Sequence, residues 1–306
     1  MFDSRMAEAA VAAVAEAAEV VGRVSRPESL AKADTSPVTL ADYASQAVVT
    51  RSLRDHLGPQ TRLVGEEGSD LLERNPEFSA QLAELLGFVP GPDLFKPSSL
   101  EEGACWVLDP IDGTKGFLRG DQYAIALALV KQGRVQVAVL GCPNLLLECL
   151  GGRGCLVTAA RGQGCWARLL QGQDWVQLKT SEREHDLRIL TSVEPAHSDD
   201  AVARRVTERF GATAIPMDSQ AKYAVLAAGE GEVYLRIPHR EKIHREYIWD
   251  QAAGALVVEE AGGIITDLQA RPLDFSTGTR LLNNLGVCAS NGPPHQALIE
   301  LFSQLV

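Results

Sequence analysis

Residues 105–120 read CWVLDPIDGTKGFLRG. The run from Cys105 to Leu108 is apolar and of β-forming composition, so it predicts a buried strand that ends at Asp109. Pro110 turns the chain, and Asp112 follows three residues after Asp109. Gly113 and Thr114 then open a helix, whose unbonded N–H groups and positive dipole end can hold a phosphate oxygen without a side-chain charge. Two carboxylates are thereby brought to one small volume. Like charges so placed are costly unless they share a proton or surround a cation, and hard oxygen ligands at a strand end suit Mg²⁺. Taken alone, the same letters also describe an Asp-Pro turn followed by a helix N-cap.

Upstream, TRLVGEEGSD (residues 61–70) predicts a short buried strand over 62–65, with Glu66 and Glu67 in the turn that ends it. Before that, VTLADYASQAVVTRSLRDHL (residues 38–57) carries Leu40, Tyr43, Ala47, Val48 and Leu53 at roughly helical spacing, which puts Asp42 near a helix start. The first 24 residues predict an amphipathic helix, interrupted by Glu8, Glu16 and Glu19. Residues 75–102, rich in Pro, Gly and Ser around a helix-like stretch at 80–86, are expected to be a surface excursion without chemistry.

Downstream, CWVLD, YAIALALV, RVQVAVLGCP, LLLECLG and GCLVTAARGQGCW alternate with glycine turns at 131–133 and 151–154, the pattern of a mostly antiparallel sheet. From about Leu187 the rhythm becomes βαβαβ: LRILTSVE, a helix over 201–210, ATAIPMDS, a helix over 221–228, and the strand GEVYLRI. WDQAAGALVVEEAGG then predicts a helix with Asp250 near its N-terminus and Gly262 at its stop. The expected division is an α+β domain over 1–184 carrying most of the acids and a smaller α/β domain over 185–306 carrying Asp250.

A chain of 306 residues, 45% hydrophobic and 23% charged, can bury a sizeable core. Its 40 acidic against 29 basic residues, a net charge of -11, repel a polyphosphate backbone and argue against nucleic-acid binding. The six cysteines form no CxxC pair and none has a histidine at zinc spacing, so reduced, mostly buried thiols are expected. No apolar run approaches the roughly 20 residues that cross a bilayer, so no membrane partner and a cytoplasmic location are expected, with the chain a monomer or weak homo-oligomer. GGRGC and RGQGC do not match GxGxxG between a strand and a helix, and read as hairpin turns.

Glu66, Glu67, Asp109, Asp112 and Asp250 are five acids, each at an element terminus. Such a set can hold two Mg²⁺ ions, one activating a water and the other stabilising a leaving oxygen, and the expected reaction is hydrolysis of a phosphomonoester.

At these residues the chain resembles the lithium-sensitive inositol monophosphatase superfamily, whose pattern joins GEE, DPxDGT and a later WDxAAG, here GEEGSD, DPIDGTKGF and WDQAAG. DGTKGFLRGDQYAIALAL, MDSQAKYAVLAAG and VYLRIP resemble its 3'(2'),5'-bisphosphate nucleotidase branch. The resemblance implies an α/β (α+β) fold, a layered αβαβα sandwich. It implies that Glu66, Asp109, the Ile111 carbonyl, Asp112 and Asp250 ligate two or three Mg²⁺ ions. Asp42 and Thr114, with Glu66, would orient and activate the attacking water, and Gly113 and Thr114 would touch the phosphate. His197, Ser219, Lys222 and Arg236, with Asp250, would hold the nucleotide. The implied reaction removes the 3'-phosphate of adenosine 3',5'-bisphosphate, leaving AMP, with the 5'-phosphosulfate analogue left open as a second substrate and Li⁺ as an inhibitor. A bisphosphate needs cations for the end that is not cleaved, and Lys222 and Arg236 supply them in an otherwise acidic chain.

The same residues bear other readings. Haloacid-dehalogenase-type phosphatases use an attacking aspartate in DxD, whereas this chain has DxxD and GEE. Inositol monophosphate or polyphosphate could be the substrate of the same metal core. A scaffold that has lost turnover would lack ligands, and each expected ligand is present. Asp42 alone could be a helix cap, Glu67 could stand outside the ligand set, and His197 could be a solvated loop residue. Lys115 and Arg119, one turn apart, are left outside the catalytic set.

Overall fold

The computed structural model describes residues 5–24, 29–31, 37–100, 103–193, 200–238 and 245–305. In chain order its elements are α1 (Arg5–Val21), β1 (Ser29–Ala31), β2 (Pro37–Thr39), α2 (Leu40–Leu57), β3 (Leu63–Gly65), α3 (Asp70–Arg74), α4 (Pro76–Leu86), β4 (Ala104–Asp112), α5 (Thr114–Arg119), β5 (Ala124–Lys131), β6 (Arg134–Leu147), β7 (Gly152–Ala160), β8 (Cys165–Leu169) and β9 (Val176–Leu178). There follow β10 (Arg188–Thr191), α6 (Asp200–Phe210), β11 (Thr213–Pro216), α7 (Ala221–Ala227), β12 (Val233–Arg236), α8 (Ala252–Glu260), β13 (Ile264–Thr266), β14 (Val287–Ser290) and α9 (His295–Leu305).

Strands β3 to β9 pair in chain order as a seven-stranded sheet, parallel between β3 and β4 and antiparallel from β4 onward. The antiparallel centre expected from the glycine-punctuated runs is therefore present. The second sheet has the order β11-β10-β12-β14-β13, with β10 parallel to both β11 and β12. The βαβαβ rhythm after Leu187 is its β10-α6-β11-α7-β12 portion.

The side chains of β5 show how the layers stack. Ile125, Leu127 and Leu129 share a core with Ala10, Ala13, Val14 and Ala17 of α1 and with Val49 and Leu53 of α2. Ala124, Ala126 and Ala128, on the other face, share a core with Ala252, Ala253 and Leu256 of α8, with Tyr223 and Leu226 of α7, and with Tyr234 of β12. A strand buried on both faces reads as a continuous apolar run, as this one does. The outer face of the second sheet, through Val233 and Leu235, packs with Val206 of α6 and Leu298 and Phe302 of α9. The order is helices, sheet, helices, sheet, helices, the αβαβα stack that the resemblance implied. Helix α8 lies between the sheets with Ala252 to Val258 all buried, which is why its sequence has almost no polar face.

Three local expectations need correction. The 75–102 region is not a mere surface excursion: α4 starts at Pro76, capped by the Asn75 side chain, which accepts from the Phe78 N–H at 3.1 Å. Its Phe78 and Leu82, with Leu94 and Phe95 beyond it, form a core with Tyr43, Ala44 and Ala47 of α2. The runs RVQVAVLGCP and LLLECLG are largely one strand, β6, whose pairing to β7 shifts register between Cys142 and Leu146. β4 does not stop at Asp109 but continues to Asp112.

Candidate active site

Residues i and i+3 of a regular strand point to opposite faces of the sheet. Asp109 and Asp112 escape this rule because β4 bulges: Asp109 pairs with Ala126 of β5 and Asp112 with Ala124, so three steps on one strand match two on the other. The extra residue turns Asp112 back to the face of Asp109. Gly113 follows with φ +86°, and the six-residue α5 begins at Thr114.

These residues line a cavity of about 440 Å³. Glu66, from the turn after β3, enters it together with Asp109, Ile111, Asp112, Gly113 and Thr114. The second half of the chain contributes Ser219, Lys222, Arg236 and Asp250. Every sequence-predicted site residue but two is thus found at one cavity. Asp42 is buried behind it and His197 lies outside the described residues.

Asp42 combines the two roles weighed for it. One carboxylate oxygen accepts from the Thr39 N–H and hydroxyl, each at 2.7 Å, in a capping box that starts α2. The other oxygen faces the Thr114 hydroxyl at 3.5 Å, and that hydroxyl also reaches the Ile111 carbonyl at 3.2 Å. Asp109 accepts from the Ile111 N–H at 3.2 Å. Glu67 is buried and, unlike Glu66, does not line the cavity.

Burial and crowding raise the pKa of the deepest acids. Burial, then the charges of Glu66, Asp112, Asp250 and Asp42, hold the Asp109 carboxyl well above the usual range. Burial, then Glu246, Asp112 and Glu66, does the same at Asp250, with Arg236 opposing. Asp112 is raised by burial, while Lys222 and the Gln220 N–H pull it down. Among the described residues no three acid, histidine or cysteine side chains form a ready-made metal cluster as they stand. The donor set nonetheless fits a hard divalent cation: carboxylates and a backbone carbonyl, all oxygen, whose mutual repulsion a positive ion would relieve.

The cationic residues are anchored separately. Lys222 Nζ donates to the Met217 carbonyl at 2.9 Å and lies 5.1 Å from the Tyr234 ring centroid. Burial lowers its pKa to about 8, with Asp112 opposing and Arg236 adding to the drop. Arg236 Nε donates to Glu246 at 3.2 Å. Burial works against the Arg236 charge, but Glu246, Tyr234 and Asp250 outweigh it and raise its pKa. Ser219 is a non-glycine residue at φ +66°, and a Cβ on Gly113 would come within 2.9 Å of its Cβ. The two halves of the chain meet there with no room for a side chain.

Sequence reading passed over several participants. Gln220 stands within the quoted MDSQAKY, yet its N–H binds the Asp112 carboxylate and its side chain binds the Trp249 carbonyl at 2.9 Å and the Gly254 N–H at 3.1 Å. It joins one acid-bearing segment to another. Glu246 and Tyr247 had no motif to point them out, and Trp249 was quoted within WDQAAG but given no role. Tyr247 stacks on Trp249 at 4.5 Å and under the Arg280 guanidinium at 3.6 Å. Of the two cations set aside, Lys115 lines the cavity, whereas Arg119 pairs with Asp121 at 2.9 Å and with the buried Asp218.

The wider comparisons agree with this geometry. Among solved structures, Thermotoga maritima IMPase superposes with a TM-score of 0.70 at 20% identity, covering 96% of this chain and 95% of its own. CysQ from Bacteroides thetaiotaomicron superposes at 0.61 and 19% identity, covering 93% and 97%. At such identities these show the fold. The 3'(2'),5'-bisphosphate nucleotidase of Schizosaccharomyces pombe is 37% identical over 98% of this chain and 95% of its own length. That of Oryza sativa is 40% identical over 85% and 82%. The inositol monophosphatase family model matches residues 3–306, so the stack of five layers and the acid-lined cavity between its sheets have their explanation in descent: the chain belongs to the inositol monophosphatase family.

Proposed function

We propose that this protein is a Mg²⁺-dependent 3'(2'),5'-bisphosphate nucleotidase that hydrolyses the 3'-phosphate of adenosine 3',5'-bisphosphate to AMP and phosphate. The observation that carries the reading is that one cavity is lined by the acids and, besides Lys115 next to the Asp112–Thr114 segment, by two cations from the second half of the chain, Lys222 and Arg236, on separate elements. A phosphate at the acids and a second phosphate at the cations is what a bisphosphate offers. The relatives named above support the same assignment.

Glu66, Asp109, Asp112, Asp250 and the Ile111 carbonyl would hold the metal ions. Bound there, Mg²⁺ would acidify a water and neutralise charge on the phosphoryl oxygens. Asp42 and Thr114 form a hydroxyl–carboxylate pair able to orient that water and take its proton, Thr114 already leaning on Asp42. The first N–H groups of α5 have no partners within the helix and would face the phosphate, as the resemblance placed Gly113 and Thr114. Lys222 and Arg236 would bind the 5'-phosphate, with Ser219 beside them, and His197 is retained as a nucleotide contact.

Phosphate release from adenosine 3',5'-bisphosphate and from inositol 1-phosphate, side by side with Mg²⁺ varied, tests the reading. The nucleotide should be preferred by at least roughly tenfold in kcat/KM, about 1.4 kcal/mol, and Asp109→Asn should lose activity on both. A preference for inositol 1-phosphate would sink the nucleotide assignment while leaving the phosphatase.

A further inference from the structure

Helix α2 carries Gln46 one turn after Asp42, and both side chains are buried. Gln46 Nε2 donates to the Glu67 carbonyl at 2.6 Å, and the Glu67 N–H donates back to Gln46 Oε1 at 3.0 Å. Only 1% of Gln46 is exposed, so both bonds form away from water. A primary amide is suited to this because it donates and accepts at once. From the same helix, the Tyr43 hydroxyl donates to the Gly68 carbonyl at 3.0 Å. From the opposite side, the Glu66 N–H donates to the Leu108 carbonyl of β4 at 3.2 Å. The backbone around Glu66 is therefore held between the strand that bears Asp109 and the helix that bears Asp42. The clamp also dictates the preceding residue: a Cβ on Gly65 would come within 2.2 Å of Gln46 Oε1.

We propose that Gln46 is a positioning residue, which aims the Glu66 carboxylate into the cavity by gripping the next peptide and so tunes divalent-cation affinity. Its effect is on the acid-lined end and not on the contacts of the distal phosphate. The inference rests on the reading of the acids as metal ligands given under Proposed function. A buried amide that satisfied Glu67 merely for stability would affect folding and leave cation binding alone.

The test is Mn²⁺ binding to the full chain, followed by electron paramagnetic resonance, with thermal unfolding measured on the same samples. Gln46→Met, which keeps length but loses both bonds, should weaken Mn²⁺ binding about 10- to 100-fold, as loss of a partner behind a metal ligand does. The Mg²⁺ concentration for half-maximal phosphate release should rise in parallel, while KM for adenosine 3',5'-bisphosphate at saturating Mg²⁺ stays within about twofold. Gly65→Ala pushes the same amide aside without altering it, should move Mn²⁺ affinity in the same direction, and carries the test if Gln46→Met does not fold. Leu298→Ala, in the core between β12 and α9, should lower Tm without moving Mn²⁺ affinity. Wild-type Mn²⁺ affinity in Gln46→Met or, if that variant does not fold, in Gly65→Ala, or a loss matched by Leu298→Ala at equal Tm, overturns the proposal. Absence of Mn²⁺ binding by the wild-type chain overturns the metal reading itself, and the role of Gln46 falls with it.

Discussion

The two ends of the cavity are built differently. At the acidic end, Asp42 is bonded to Thr39 and Asp109 to the N–H of Ile111, contacts spanning two or three residues of chain. At the cationic end, the Lys222 side chain has one hydrogen bond, to the Met217 carbonyl, and the Arg236 side chain one, to Glu246, among the described residues. Asp112, by contrast, is held across 108 residues by the Gln220 N–H, and carboxylates that share a small volume need such braces, near or far, because repulsion would otherwise spread them; cations that await a phosphate need reach. The acidic end should therefore respond to backbone changes and the cationic end to loss of charge.

Gly113, where the ends touch, gives the harshest test. Gly113→Ala places a methyl group 2.9 Å from Ser219 Cβ at φ +86°, and left-handed strain plus overpacking should cost about 2–4 kcal/mol of stability. Denaturant unfolding measures this, and an unchanged midpoint would show that the two halves are not in close contact there. Next is Arg236→Ala, which should lower kcat/KM for adenosine 3',5'-bisphosphate by about 1.5–3 kcal/mol, the scale of a lost charge-assisted hydrogen bond. With adenosine 3'-monophosphate, which lacks the distal phosphate, the loss should be far smaller; equal losses would place Arg236 at the reacting end.

The smallest effect concerns pH. Lys222 has its pKa lowered to about 8, so its charge is present below that pH and disappears above it. kcat/KM for the bisphosphate should thus fall on the alkaline side, by about tenfold one unit above that pKa, as free-enzyme ionisations report in this parameter. In Lys222→Met that limb should be missing. The sign follows from the depressed pKa: burial penalises the ammonium, so the folded protein releases this proton earlier than an unfolded chain would.

How much of this could be read from the chain varied with the distance over which each feature is determined. The strand beginning near Cys105 and the helix opened after Gly113 were legible because an apolar run and a glycine act within a few positions, whereas the turn expected at Pro110 is absent because β4 continues to Asp112. The bulge between Asp109 and Asp112 was not legible, since it exists only in the pairing of β4 with β5. The core role of α4 was missed because proline and glycine around it suggested a loop, while Phe78 and Leu82 find their partners on α2. The Gln46 clamp spans 21 residues and the Gln220 bond to Asp112 spans 108, and such contacts leave no periodicity to detect.

The amino-acid sequence by itself determined the kinds of atoms in the site, oxygen donors at element ends and two cations in the second half, because composition and local turn chemistry act over short stretches. Which of those atoms stand together was decided only when the two sheets closed over α7 and α8. Hydrophobic burial between the layers draws Glu66, Asp109 and Asp112 against Lys222, Arg236 and Asp250, and no local rule relates positions so far apart along the chain.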